Sequence, residues 1–404
     1  MPGAPVHPTV AYTEFSVNTN IQVARLLGIP VMVNLSWLFT LAFVTTILAV
    51  RFYPTVIPQR SEFHDDIALH WVMAIASGLI FFLSILIHEF AHSIVALRFG
   101  IPVKSITLFV FGGVSQIGGE AKRPIHEFFM AIMGPFTSLL LAAGFFGLWF
   151  ATGQSDTSPL AIVLEWLFLM NLIIAAFNMA PGFPMDGGRV LRSILWGISG
   201  NLFKATRLAT LAGRGLGYSL MMVGAIAFFG LIEFIDPWSG AWFAILGLFL
   251  ESSARQAWIQ TKALDILSRY AAEDIMVADL LTAEARDIIR YVVSRSAAPH
   301  YLFFISDDDE KVVGVLTERE VDAVDIDARN RRTAGDLMVP TRSMPTAAPR
   351  EDAATILQRM ETDALWHLPV VSEGRVIGVV SKDSILRILA RNLIPQKPAP
   401  LSQP

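Results

Sequence analysis

The stretch Phe81-Phe82-Leu83-Ser84-Ile85-Leu86-Ile87-His88-Glu89-Phe90-Ala91-His92 decides the fold. It reads as a hydrophobic helix that carries H-E-x-x-H. Residues four apart share a helix face, so His88 and His92 can both point at one metal ion. Glu89 lies beside them, placed to take a proton from a metal-activated water. In a soluble metalloprotease such a helix is amphipathic. Here the flanking residues are apolar all round, as in a helix inside a bilayer. Ionisable groups in a membrane span cost about 2.5–3.5 kcal/mol each on insertion scales, which points to a role for these. The bland alternative is two histidines bonded to backbone or neighbouring helices, and a second motif further along weighs against it.

Composition separates the chain into two kinds of region. Of 404 residues, 53% are hydrophobic and only 16% charged, against about a quarter charged in soluble chains. The apolar excess fills residues 34–253, and the remainder reads as an ordinary soluble domain. A net charge of −4 gives no argument for nucleic acid. The absence of cysteine excludes disulfides, Cys-ligated zinc and a cysteine nucleophile. The N-terminus lacks a basic start, apolar run and cleavage site, so no signal peptide is expected and the first span is expected to be retained.

Residues 1–33 read as a cytosolic or interfacial arm, with Gly28-Ile29-Pro30-Val31 as a short extended piece at most. Six apolar stretches follow, near Leu35–Phe52, Trp71–Leu97, Phe128–Phe150, Leu160–Asn178, Leu216–Phe234 and Ala241–Ser252. The last is short for a bilayer core of about 30 Å. Loops after the second span (Arg98, Lys104, Lys122, Arg123), the fourth (Arg189, Arg192, Lys204, Arg207) and the sixth (Arg255, Lys262) are basic. The opposite loops are poorer, so both termini are expected in the cytosol, with His88 and His92 in the cytosolic third of their span. Between spans two and three, Phe109-Val110-Phe111-Gly112-Gly113-Val114-Ser115-Gln116-Ile117-Gly118-Gly119-Glu120 places two Gly-Gly pairs around a β-like run, hairpin-like rather than helical. Its edge could hold an extended peptide; a plain surface hairpin is the equal alternative.

Span four ends in Asn178-Met179-Ala180-Pro181-Gly182-Phe183-Pro184-Met185-Asp186-Gly187-Gly188-Arg189. Irregular backbone at that depth must be buried in protein or face a watery cavity. Asp186 either caps a helix beginning near Arg189 or returns toward His88 and His92; beside H-E-x-x-H the second reading is adopted. Two histidines and a carboxylate leave one tetrahedral position open, as in a catalytic zinc site. Asn178 can donate to a developing oxyanion or hold substrate backbone.

These motifs resemble the site-2 protease family of intramembrane zinc metalloproteases, over roughly residues 30–250. The resemblance implies zinc, one per chain, on His88, His92 and Asp186, with Glu89 as base and Asn178 assisting. It implies a membrane-anchored regulatory protein as substrate, cut near the cytosolic face of the inner membrane, with the Gly-rich loop along the substrate strand. The short connection from Phe150 to Leu160 leaves no room for a PDZ domain. The branch with a C-terminal pair of cystathionine-β-synthase (CBS) modules, which includes the stage IV sporulation protease, fits better.

The tail carries a diverged repeat, 273–323 and 333–391, joined to the spans by a helical linker at 254–272. Asp274-Ile275-Met276-Val277 matches Asp336-Leu337-Met338-Val339, and Val313-Gly314-Val315-Leu316-Thr317 matches Ile377-Gly378-Val379-Val380-Ser381. As CBS modules these imply clefts for ATP or another adenine nucleotide, with Thr317, Glu320, Ser381 and Asp383 as binding residues, and a homodimer. The module's usual acid three residues after the Thr or Ser is Glu320 in one repeat and Ser384 in the other, with Asp383 shifted by one. A dimerisation platform without ligand is the alternative. His64, Asp65, Asp66 and His70 read as a solvated outer loop, His126 as a cap of span three, His300 and His367 as structural, and 395–404 as a disordered Pro-rich end. The expected fold is thus a polytopic α-helical membrane domain of about six spans followed by a soluble α/β tandem CBS module. The competing functional class is a CBS-regulated transporter or channel. Such a path should place ionisable groups in several spans, whereas here they gather at H-E-x-x-H and Asp186. An inactive scaffold is argued against by the intact His88, Glu89, His92 and Asp186 set.

Overall fold

The hydropathy pattern resolves into a helical unit, residues 1–258, and an α/β unit, residues 259–404. The structure, a computed structural model, describes residues 20–110, 112–119, 121–155, 157–232, 234–296, 300–307, 312–340, 343–363 and 365–393. The start of the N-terminal arm, Phe111, Glu120 and the Pro-rich end fall outside these residues.

The arm is ordered from Asn20 as a hairpin, β1 (Asn20–Leu26) and β2 (Ile29–Asn34), a correction to the arm expected there. Ile29 and Val31 are buried, and Gly28 turns the chain at φ +82°, a conformation that suits glycine. Asn34 then caps α1 (Leu35–Ile47) by accepting from the Ser36 amide at 3.0 Å. A π-turn at Leu48–Phe52 carries α1 into α2 (Tyr53–Val56), which completes the first span.

The 32 residues of α3 (Ile67–Arg98) follow, about 48 Å at 1.5 Å per residue, longer than a bilayer core. Asp66 caps its start through the Leu69 amide at 2.9 Å. Its inward face mixes polar, small and apolar residues: Ser77, Ser84, His88, His92 and Ser93 are buried beside Met73, Ala74, Phe82 and Ala96, while Val72, Leu79 and Leu83 are exposed. The outward face is apolar, as a lipid solvent allows, and the ionisable groups turn inward. β3 (Val103–Phe109) and β4 (Gly112–Ile117) form the next hairpin. The two Gly-Gly pairs therefore bracket one strand, whose partner precedes them. The sheet order is β1-β2-β3-β4, with β2 and β3 parallel across the crossover through α1–α3.

α4 (Pro124–Ala151), α5 (Pro159–Asn178), α6 (Asp186–Ser199), α7 (Leu202–Phe228) and α8 (Pro237–Leu267) complete the helices. Among the described residues five helices are long and apolar enough to cross a membrane: Leu35–Val56, α3, α4, α5 and α7. The sixth apolar stretch lies inside α8, which runs on through Arg255 and Lys262 and absorbs most of the expected linker. The fifth span starts at Leu202, fourteen residues before the hydropathy reading placed it, because Lys204, Arg207 and Arg214 mask its first turns.

In the α/β unit, α9 (Ala272–Ile275), β5 (Thr282–Glu284), α10 (Ile289–Val293), β6 (Leu302–Ser306), β7 (Val312–Thr317) and α11 (Glu318–Asp322) form the first repeat. α12 (Ala334–Leu337), β8 (Val339–Pro340), α13 (Ala353–Thr362), β9 (His367–Ser372), β10 (Arg375–Ser381) and α14 (Lys382–Leu393) form the second. Their leading segments are exchanged. β8 pairs with β7, and Ala334 is buried with Ile289, Phe303 and Leu316 of the first repeat. Val277 bridges to Val379, and Ala272 and Ile275 are buried with Ile356, Leu368 and Val380 of the second. The His300 ring stacks on Trp366 at 3.7 Å between the repeats.

Burial holds the His367 imidazole below its ordinary pKa, aided by His300 and opposed by Glu318 and Asp383. A depressed histidine favours the neutral form in the folded state. Its contribution is intact above an unfolded pKa of about 6.5 and is lost as pH falls through the folded value. The melting temperature of the full chain should drop more steeply below about pH 6.5 than that of His367→Gln, as differential scanning fluorimetry in detergent would show.

Candidate metal centre

H-E-x-x-H sits where α3 runs against α4. His88 and His92, four residues apart and both about 4% exposed, turn their Nε2 atoms to one point, 3.2 Å from each other. Asp186 Oδ2 completes the group, 3.2 Å from each Nε2. The three donor atoms lie within 4.8 Å of one another. A tetrahedral zinc with bonds of about 2.0–2.1 Å holds neighbouring ligand atoms about 3.3 Å apart, so the spacing fits that ion.

The far side of each ring is fixed by α4. His92 Nδ1 donates to the Met130 carbonyl at 2.6 Å, and His88 Nδ1 lies 2.9 Å from the Ser138 hydroxyl. A carbonyl only accepts, so the His92 proton sits on Nδ1 and its Nε2 lone pair faces the cluster. Gly134 stands between those two contacts. A Cβ there would collide with His92 Nε2 and stand 2.6 Å from His88 Nε2. The chain thus leaves open the space that a cation between the rings needs.

Asp186 arrives through the break between α5 and α6. It is the first residue of α6, whose N-cap is Met185, so it opens the helix without capping it by a side-chain bond. The break is pinned to α7, where the Phe183 amide donates to the Ala209 carbonyl at 3.2 Å. Gly213 allows this approach, since a Cβ there would collide with the Phe183 carbonyl. α6 is also tied to α4: the Arg192 guanidinium donates to Glu127 Oε1, and Arg189 Nε lies 3.9 Å from the same oxygen. Glu127 is 1% exposed, so this pair is shielded from solvent.

Glu89 is half-buried beside the histidines, and its Oε2 accepts from Ser115 on β4 at 2.8 Å. Asn178 ends α5, half-buried, with no side-chain hydrogen bond among the described residues. In the tail, Thr317 and Glu320 bond to each other and close the start of α11. Ser381 lies 2.9 Å from the Ser384 hydroxyl, and Asp383 is exposed. The outer-loop histidines are occupied by backbone: His64 Nδ1 with Ile57 O at 2.9 Å and His70 Nε2 with Phe63 O at 3.1 Å. His126 stacks on Phe99 at 4.1 Å.

Sequence reading missed Met130, Gly134, Ser138, Ser115 and Glu127. Met130, Gly134 and Ser138 recur every fourth residue and so share one face of α4, a spacing that by itself marks no chemistry, and Ser115 sits unmarked inside the Gly-rich run. The one available signal was Glu127, an acid in the first turn of an otherwise apolar helix.

An apolar helical unit with an inward His-His-Asp group and an adjoining glutamate defines a membrane-embedded zinc metalloprotease. The model of peptidase family M50 matches residues 76–161 and 146–222, and that of the CBS domain residues 334–391. The chain is 32% identical over 384 residues to a Mycobacterium tuberculosis protein named as zinc metalloprotease Rip3, covering 91% of this chain and 92% of that one. It is 28% identical over 265 residues to stage IV sporulation protein FB of Bacillus subtilis, covering 64% and 87%. The solved site-2 protease from Methanocaldococcus jannaschii is similar at 25% identity and TM-score 0.40, covering 59% of this chain and 95% of that one. The chain belongs to peptidase family M50, the site-2 proteases: it is an integral membrane zinc metalloendopeptidase with a CBS tail.

Two outcomes test this geometry. Gly134→Ala should leave the protein folded but reduce zinc retained on purification at least about tenfold, measured by elemental analysis. Arg192→Met removes the closer of the two guanidiniums from Glu127, leaving Arg189 at 3.9 Å, and should cost about 1–3 kcal/mol of stability, read as a lowered melting temperature.

Proposed function

We propose that this chain cleaves membrane-anchored regulatory proteins within the bilayer, near its cytosolic face. His88, His92 and Asp186 hold the zinc, and Glu89 is the general base. The observation that carries this reading is the convergence of Asp186 Oδ2 on both Nε2 atoms at 3.2 Å, from a helix nearly a hundred residues away in sequence.

Zinc held by His88, His92 and Asp186 would supply Lewis acidity and make a water acidic enough to lose its proton near neutral pH. Glu89 accepts the proton and delivers it to the leaving amine nitrogen. The free Asn178 amide is offered to the carbonyl oxygen as it becomes an oxyanion. β4 is an edge strand of its sheet, so an extended substrate segment can add beside it. Backbone bonds to that edge replace those the substrate loses when its helix unwinds. Lys104, Lys122 and Arg123 between α3 and α4, with Lys204 and Arg207 at the start of α7, support a cytosolic placement of this edge and of both termini.

The tail modulates this activity through nucleotide binding. A cleft of about 330 Å³ lies between Asp274–Val277 and Ser384, Arg387, Ile388 and Arg391 of α14. It joins the leading segment of one repeat to the last helix of the other. Arg387 and Arg391 suit phosphate oxygens, while Ser384 gives a neutral hydroxyl for a ribose.

Glu89→Gln should retain stoichiometric zinc and lose cleavage by about 10²–10⁴-fold. A proteomic comparison of membrane-protein fragments from cells with the native and Glu89→Gln chains measures this and identifies the substrate. Undiminished fragments would remove Glu89 from its role.

A further inference from the structure

The proposed base does not stand alone. Ser115 Oγ lies 2.8 Å from Glu89 Oε2 and 3.1 Å from the Glu89 backbone carbonyl. Its single proton can serve only one of them. The fully buried Ser93 hydroxyl reaches the same carbonyl at 3.0 Å and Ser115 Oγ at 3.2 Å. Ser93 therefore satisfies the carbonyl and leaves the Ser115 proton for the carboxylate. A hydroxyl bonded to a charged oxygen is stronger than a neutral pair, and it fixes which way the carboxylate points.

The place of Ser115 in the fold gives the contact its meaning. Gly113 and Ser115 alternate toward α3, and a Cβ on Gly113 would stand 2.6 Å from Glu89 Cγ. Val114 and Gln116 point away and are exposed. β4 is held from behind by β3, where Ser115 pairs with the fully buried Ile106. The turn between the strands is tied to α1, where Thr40 Oγ1 donates to the Val110 carbonyl at 3.1 Å and Ser36 Oγ accepts from its amide at 3.2 Å. The other side of β4 is the open edge of the sheet.

We propose that Ser115 is a positioning residue for Glu89: one edge strand holds the base through its side chain and the substrate through its backbone. This inference rests on the reading of Glu89 as the base. A peptide that pairs with β4 rigidifies the strand that orients the carboxylate, so the base is aligned when substrate is in register. A peptide bound out of register leaves the base less well held.

The test uses the full chain in lipid nanodiscs, with the membrane substrate found in the fragment comparison. Ser115→Ala should lower kcat about tenfold, with KM within about twofold and zinc content unchanged. Ser115→Thr, which keeps the hydroxyl and suits a strand, should restore most of the rate. A double-mutant cycle on the melting temperature, with Ser115→Ala, Glu89→Ala and both, reads the contact without any activity. Its shifts should be non-additive. Additive shifts, or a Ser115→Ala enzyme with native kcat while Glu89→Gln is inactive, overturn this inference alone. A Glu89→Gln enzyme that still cleaves overturns the reading beneath it as well.

Discussion

The structure depends on the contact of two membrane helices at one residue without a side chain. Gly134 on α4 faces the imidazoles of α3, and a methyl group there would fill the space between them. Around that space three side-chain donor atoms, His88 Nε2, His92 Nε2 and Asp186 Oδ2, stand 3.2 Å from one another. Met130 and Ser138, one turn to either side of Gly134, hold the rings by their outer nitrogens. In a lipid solvent, apolar packing alone gives helices little reason to associate, and small residues and polar contacts take over. Here the same small residue and polar contacts that join α3 to α4 also shape the candidate metal site.

The carboxylate comes from elsewhere and needs its own support. The break from Ala180 to Met185 is non-helical backbone, with Gly182 and Met185 buried against protein while Pro181 and Pro184 are exposed; irregular backbone at membrane depth needs such protein or water contact. It rests on α7 at Ala209 and Gly213, and α6 then turns back to meet Glu127 through Arg192. Asp186 is thereby held from both ends. The glutamate is held from a third direction, by a strand of the small sheet. Four distinct elements converge on a site whose sequence signature occupies two short motifs.

Those motifs were legible because their information is local. H-E-x-x-H encodes a shared helix face, and the Pro- and Gly-rich run at 181–188 announces a break in a span. The hydrophobic stretches located the helices, and the repeated Asp-Ile-Met-Val and Asp-Leu-Met-Val segments located the CBS pair. What escaped was contact between distant single residues. Ser115 lies 26 residues from Glu89 and Met130 lies 38 from His92, with nothing periodic linking them. Counting positive charges reads Arg192 as a solvated loop charge, whereas it is paired with Glu127 out of water. The repeat reveals two similar modules but not that they exchange leading segments, since similarity carries no record of which partner each segment packs against. Hydropathy likewise shortened α7, whose early basic residues end an apolar window without ending a helix.

Every proposed role of these residues requires a single divalent ion shared by His88, His92 and Asp186. X-ray absorption at the zinc edge of the purified full chain examines this directly. It should show one zinc with only nitrogen and oxygen neighbours at about 2.0–2.2 Å, including the multiple scattering of two imidazoles. Asp186→Ala should lose the metal or one light-atom neighbour. An unchanged spectrum and zinc content in Asp186→Ala would contradict the account.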